Sequence, residues 1–170
     1  MEHPGKHARD MMNMAPDELT PMQLAIAASR VALEAGNQPY GATLVSAKGE
    51  VLHVAGNCQV TSGDGTAHAE MVLVREASAR LGPAALRAST VYASGEPCTM
   101  CSGALFWAGV QRVVYAASNP QMAELLGGEL LPIRCAEVVA GASPPMQVDG
   151  PVLAEEALAV LRDAAARRAR

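Results

Sequence analysis

Aromatic residues are scarce: three Tyr, one Trp and one Phe make up 3% of this 170-residue chain. A core with so few rings has to be assembled from Ala, Val, Leu and Met, so it is aliphatic and finely divided. Charged residues are also few, at 18%, yet half of all residues are hydrophobic, which excludes a disordered chain. No apolar run approaches the roughly 20 residues that cross a bilayer, and residues 1–16 hold no hydrophobic segment that could serve as a signal peptide. A soluble cytoplasmic protein with no membrane partner is expected. The cationic excess that broad attraction to nucleic acid needs is missing too: 13 Lys and Arg face 17 Asp and Glu, a net charge of −4. That balance counts against a polynucleotide substrate. Cysteine is limited to Cys58, Cys98, Cys101 and Cys135. In a reducing compartment the close pair points to metal or redox work rather than a structural disulfide. Cys58 and Cys135 stand alone and are expected as buried small hydrophobes.

The length suits one sizeable core. Residues 1–18, with His3 and His7, lack periodicity and are expected as a flexible N-terminal arm; residues 19–170 are expected as a single domain with no internal repeat. Thr20 with Gln23 forms a capping box, Pro21 suits the first helical position, and Ile26, Ala27, Arg30, Val31 and Glu34 set an apolar stripe beside a polar one until Gly36. Residues 42–46 and 51–55 read as a hairpin, with His53 a hydrogen-bonded strand residue and not a ligand. A loop over 56–65 precedes a helix over 66–81, ended by Gly82-Pro83. Strand 90–94, helix 98–108 and strand 112–116 then alternate, which implies parallel strands, right-handed crossovers and helices on both faces, an α/β architecture. Residues 119–141 are ambiguous, since Gly127-Gly128 and Pro132 break any helix begun at 121–126. Residues 146–148 are a candidate last strand, and 153–170 a closing amphipathic helix. Its early Glu155 and Glu156 and late Arg167, Arg168 and Arg170 follow the helix dipole, so the basic end needs no nucleic acid to explain it.

Two short runs carry chemistry. In Cys98-Thr99-Met100-Cys101 a spacing of three puts both sulfurs on one side of a helical turn, within reach of one ion. Alone, the pair could be redox, half of a structural zinc site, or catalytic; a structural site wants two more ligands at similar spacing, and no second CxxC exists. His68 is the best third ligand, giving three protein ligands and one open position, the arrangement of a catalytic zinc site. Glu70 lies about 200° around an ideal helix from His68, so the two share a site only if His68 sits where the chain is just entering the helix, with Thr66 as the cap.

His68-Ala69-Glu70 followed by Pro97-Cys98-Thr99-Met100-Cys101 is the H-x-E…P-C-x-x-C signature of zinc deaminases. With Pro39-Tyr40-Gly41-Ala42, Gly56-Asn57, Trp107-Ala108-Gly109-Val110 and Arg112-Val113-Val114-Tyr115, the chain resembles the cytidine deaminase superfamily, in its nucleobase and tRNA adenosine deaminase branch. The resemblance implies a three-layer α/β/α sandwich with a mixed five-stranded sheet, zinc held between two helix N-termini, and a homodimer with active sites near the interface. It implies that His68, Cys98 and Cys101 bind Zn2+. Glu70 would take a proton from the water that zinc activates and pass it to the ring nitrogen and the departing ammonia. Asn57 would hydrogen-bond the ring, the backbone near Ala69 would contact the base edge, and the Trp107 indole would pack near the base. The implied reaction is hydrolytic deamination of a free nucleobase or close analogue: guanine, cytosine or an aminotriazine. The alternatives are a tRNA-specific adenosine deaminase and a deaminase fold serving only as a binding module. The closing helix carries none of the aromatic residues that the tRNA and guanine enzymes place near their C-termini.

Overall fold

Helix α1 (Pro21–Glu34) begins on the expected capping box: Thr20 Oγ1 accepts the Gln23 N–H at 3.3 Å, and Gln23 Oε1 accepts the Thr20 N–H at 3.1 Å. The computed structural model describes residues 20–128 and 130–169, so the arm expected over 1–18 lies outside the described residues. The buried face of α1 is Met22, Ala25, Ile26, Ser29 and Ala32. This corrects the expected stripe, because Val31 is 64% exposed. The period was right and the phase wrong: a helix rich in Ala and Val offers two apolar faces, and only packing chooses between them. Packing here is close. A Cβ at Gly41 would collide with the Ala25 carbonyl, so glycine at that position lets α1 lie directly on the first strand.

Strands β1 (Gly41–Val45) and β2 (Val51–Gly56) form the expected antiparallel hairpin. His53 in β2 bonds Glu76 through Nε2 at 2.6 Å, a strand histidine with a partner. With β3 (Thr90–Gly95), β4 (Arg112–Ala117) and β5 (Gln147–Asp149) they make a five-stranded sheet in the order β2-β1-β3-β4-β5. Strand β1 is antiparallel to both neighbours, while β3, β4 and β5 are parallel, so the sheet is mixed.

Two cores follow from this sheet. On one face Leu44, Val91 and Val113 pack with Leu73 and Ala77 of α3 (Ala69–Leu81) and Leu105 of α4 (Thr99–Ala108). On the other, Val114 and Ala116 pack with α1 and with Leu158 and Leu161 of α7 (Ala154–Arg168). The result is the three-layer α/β/α sandwich, with the aliphatic core that the composition requires. Cys135 is fully buried as expected, whereas Cys58 is only half-buried. Among the described residues no helix is long and apolar enough to cross a membrane.

Three segments differ from expectation. The loop over 56–65 contains a short helix, α2 (Gln59–Ser62), whose Val60 and Thr61 N–H groups both donate to Asn37 Oδ1 at 3.0 Å. Helix α3 starts at Ala69 and not at Thr66, because the Thr66 hydroxyl and N–H both bond Asp64 Oδ1, at 2.6 and 2.8 Å. That local turn competes with the helix for residue 66. Within 119–141 the structure contains α5 (Asn119–Leu126), started by a second capping box between Ser118 and Gln121, and a short α6 (Cys135–Val138).

Candidate active site

Two helix starts meet at the C-terminal edge of β3. His68 is the N-cap of α3 and Cys98 the N-cap of α4, both in extended backbone, with Glu70 and Cys101 in the first turns that follow. His68 as the cap resolves the geometry posed by its spacing to Glu70, since an extended residue does not obey the 100° per residue of a helix. His68 Nδ1 lies 3.6 Å from Cys98 Sγ and 3.6 Å from Cys101 Sγ, and the three ligand atoms all fall within 4.8 Å of one another. A tetrahedral zinc with Zn–S of about 2.3 Å and Zn–N of about 2.0–2.1 Å sets neighbouring N and S atoms about 3.6 Å apart. One nitrogen and two sulfurs at this spacing fit zinc, with one coordination position left for a non-protein group.

The charges around this triangle are strongly biased. Cys98 is pulled down to about 4, first by a hydrogen bond from the Cys101 thiol and then by His68, so it is a thiolate. Cys101 is pushed well above the usual thiol range by its bond to Cys98 and by burial, and keeps its proton. His68 is raised by its bond to Cys98. Glu70 is buried, and loss of hydration pushes its carboxyl up to about 7, with the Cys98 charge adding to the effect.

A cavity of about 400 Å³ opens on this group, with His68, Glu70 and Cys98 in its wall. Gln38, Tyr40, Gln59, Asn119 and Arg168 supply polar wall, and Met122, Ala123 and Leu126 of α5 an apolar side. Gly95 keeps that space open, since a Cβ there would come within 2.6 Å of Met122 Sδ and 3.1 Å of the Tyr40 ring. Glu96 joins the walls together. Its side chain is 1% exposed, takes Arg134 Nε at 2.8 Å on both oxygens, and accepts the N–H groups of Asn119 at 2.8 Å and Cys135 at 3.1 Å.

The expected metal ligands and Glu70 are therefore brought together, with the Ala69 backbone between them, while Asn57 and Trp107 lie outside this chain's cavity wall. Asn57 is buried outside the cavity wall, with its amide engaged by Gln59: Nδ2 donates to Gln59 Oε1 at 2.7 Å, and Oδ1 accepts the Gln59 N–H at 3.0 Å. Gln59 is the residue that lines the cavity. Ala69 is fully buried between His68 and Glu70. Trp107 is 84% exposed, packs edge-on against Phe106 and does not line its own chain's cavity. Sequence reasoning missed Tyr40, Gln59, Glu96, Asn119 and Arg168 as site residues. The available signal was local only for Glu96, which directly follows strand β3, and for Gln59 and Asn119, which open helices; Tyr40 before β1 and Arg168 at the end of α7 carry none.

Comparison with known proteins agrees with this geometry. Residues 16–117 match the cytidine and deoxycytidylate deaminase zinc-binding region. A probable cytosine deaminase of Schizosaccharomyces pombe is 35% identical over 149 residues, covering 85% of this chain and 90% of that protein. A tRNA-specific adenosine deaminase of Bacillus subtilis is 41% identical over 108 residues, 64% of this chain and 66% of that protein. In fold, the guanine deaminase of Nitrosomonas europaea superposes with a TM-score of 0.75 at 24% identity, over 98% of this chain and 94% of that one. Ligand set, fold and sequence converge: the chain belongs to the cytidine and deoxycytidylate deaminase zinc-binding family and is a zinc-dependent deaminase.

Proposed function

We propose that the protein hydrolyses the exocyclic amine of a free nucleobase or close analogue, with guanine, cytosine or an aminotriazine as candidates, and releases ammonia. The observation that carries this reading is the cavity itself. About 400 Å³ lies at the small end of the range for small-molecule sites, and this space combines an apolar side with a few polar groups and ends on Glu70 and the ligand triangle. Zinc bound by His68, Cys98 and Cys101 supplies the Lewis acidity that makes water nucleophilic near neutral pH. Glu70 takes a proton from the attacking water and returns it to the ring nitrogen. The second proton goes to the amine, the carbon–nitrogen bond breaks, and ammonia leaves while the ring gains an oxo group. A carboxyl held at about 7 by burial both accepts and donates protons at neutral pH.

Ammonia release should be followed with free bases, nucleosides and tRNA as substrates of the zinc-loaded protein. Release from free bases alone is the expected outcome. Inosine formed only in tRNA would overturn it in favour of the adenosine reading, which the Bacillus subtilis relative supports. No release from any substrate, with zinc bound, would leave the fold as a binding module.

The functional unit in this reading is a homodimer. Met100, Gly103, Ala104 and Trp107 follow the i, i+3, i+4, i+7 spacing on α4; Met100 and Trp107 are exposed, and a Cβ on Gly103 would meet nothing within 4 Å. An uncovered apolar stripe on the helix that carries two metal ligands suits a second copy of the chain. Sedimentation should give a dimer for the native protein and a monomer for Trp107→Asp; a native monomer at micromolar concentration would contradict this.

A further inference from the structure

We propose that Arg168 is the specificity-determining residue of the cavity and that it selects aminated rings bearing an oxo group on the edge away from the reacting amine. The proposal rests on the free-base reading above. Three arginines in the last two turns of α7 differ in what they hold. Arg162 pairs with Glu155 at 3.0 Å and Arg167 with Asp163 at 2.9 Å. Among the described residues Arg168 meets only neutral oxygens: NH2 donates to Gln38 Oε1 at 2.5 Å, and NH1 reaches the Leu126 carbonyl at 3.5 Å, the limit of a hydrogen bond. A guanidinium has five N–H donors in a fixed plane, so among the described residues most of its donor capacity remains unspent.

Arg168 also differs in position. It lines the cavity that holds Glu70, whereas Arg162 and Arg167 do not. The other formal charges in that wall are accounted for: Glu96 is bound to Arg134, and Glu70 and Cys98 belong to the metal end. Tyr40 lies within electrostatic reach of both Arg168 and Glu70, which links the two ends of one space. A permanent cation with spare donors, oriented by Gln38, favours a carbonyl oxygen. It meets an exocyclic amino group donor to donor, which gives no bond and a repulsion. Rings that differ only by oxo for amino are therefore told apart at this point.

The alternative is that Arg168 only staples α7 to Gln38. A staple would alter stability and would affect every ring equally. The test compares guanine with 2,6-diaminopurine and cytosine with 2,4-diaminopyrimidine, using zinc-loaded full-length protein. Native protein should prefer the oxo member of each pair. Arg168→Met should lower kcat/KM for the oxo member by about 10- to 100-fold, the range that a hydrogen bond from a charged donor supports. The loss should appear in KM, the diamino member should gain rather than lose because the donor-to-donor repulsion is removed, and Arg168→Lys should recover part of the preference. Arg162→Ala should behave as native protein. Equal losses on both members, or an unchanged ratio, would overturn the proposal. If native protein turned over no base, the free-base reading would fail by itself; equilibrium binding of the same pairs to zinc-loaded Glu70→Gln protein would still report on Arg168, and equal affinities within a pair would overturn it.

Discussion

At one end of the cavity His68, Glu70, Cys98 and Cys101 come from two stretches of three and four residues, each at the start of a helix. At the other end Gln38, Tyr40, Asn119 and Arg168 come from a pre-strand loop, the start of α5 and the end of α7. The chemical end is local in the chain, with Glu70 and Cys101 buried and His68 and Cys98 half-buried, because ionised or metal-bound side chains need fixed neighbours and little water. The recognition end is distributed and partly open, because it is made where the chain ends of several layers happen to meet. On the reading proposed above, deamination chemistry would stay constant while substrate choice changed by single substitutions in unrelated segments.

Removing one ligand should break the comparison most severely. Cys101→Ser is expected to lose zinc and all measurable ammonia release while the cavity's far wall stays in place, as metal analysis and circular dichroism would report. Full activity in this variant would mean that the two ends are not chemically distinct. Glu96→Ala comes next, since it unties the two ends from each other. Two buried N–H groups, of Asn119 and Cys135, lose their acceptor at about 1–3 kcal/mol each, so a loss of about 2–6 kcal/mol is expected in urea unfolding. A change below about 0.5 kcal/mol, the level of an ordinary surface substitution, would show that the ends are held independently.

Zinc affinity should depend on pH only through the chemical end. Cys101 is pushed well above the usual thiol range and holds its proton in the metal-free protein, and His68 is shifted upward by its bond to Cys98, so zinc binding releases protons. Affinity is then lost as pH falls, by about tenfold per pH unit for each proton released. A competition titration against a chelator that showed no pH dependence would contradict this assignment of protons. The smallest effect is expected far from both ends, at the Arg112–Asp149 pair that joins β4 to β5 at 2.7 Å. Its hydrogen bond to Arg112 lowers Asp149 below the ordinary 3.8, so the pair's stabilisation is present above that value and is lost as pH falls through the lowered one. Both side chains are more than a third exposed, and after solvent screening Asp149→Asn should cost under about 1 kcal/mol at neutral pH. A larger loss would mark β5 as more central to the sheet than its three residues suggest.

The same contrast explains what could be read from the sequence. The ligands and Glu70 were legible because two fixed spacings demand one geometry, and the capping boxes of Thr20 and, unforeseen, Ser118 act within a few residues. The phase of α1 was not legible, since Val31 and Ile26 are equivalent until β1 packs against one of them. Thr66 reads as a cap because threonine is a favoured N-cap residue, yet Asp64, two residues before it, takes its hydroxyl and N–H instead. Asn57 illustrates the remaining gap: its motif position suggested a ring contact, yet the short helix α2 brings Gln59 to the wall and engages the Asn57 amide. Arg168 looked like a dipole-matched helix end because nothing in the local sequence reveals that Gln38 lies beside it.

The central claim is that a buried carboxyl beside a three-ligand zinc site carries the protons of deamination. Glu70→Gln keeps the shape and the hydrogen-bonding reach of the side chain but cannot cycle a proton. The measurement is ammonia release per zinc for native and Glu70→Gln protein, loaded to one zinc per chain. The account predicts equal metal content and a fall in turnover of about 10²- to 10⁴-fold, the worth of a positioned general acid–base. Undiminished turnover in Glu70→Gln with zinc fully bound would contradict it.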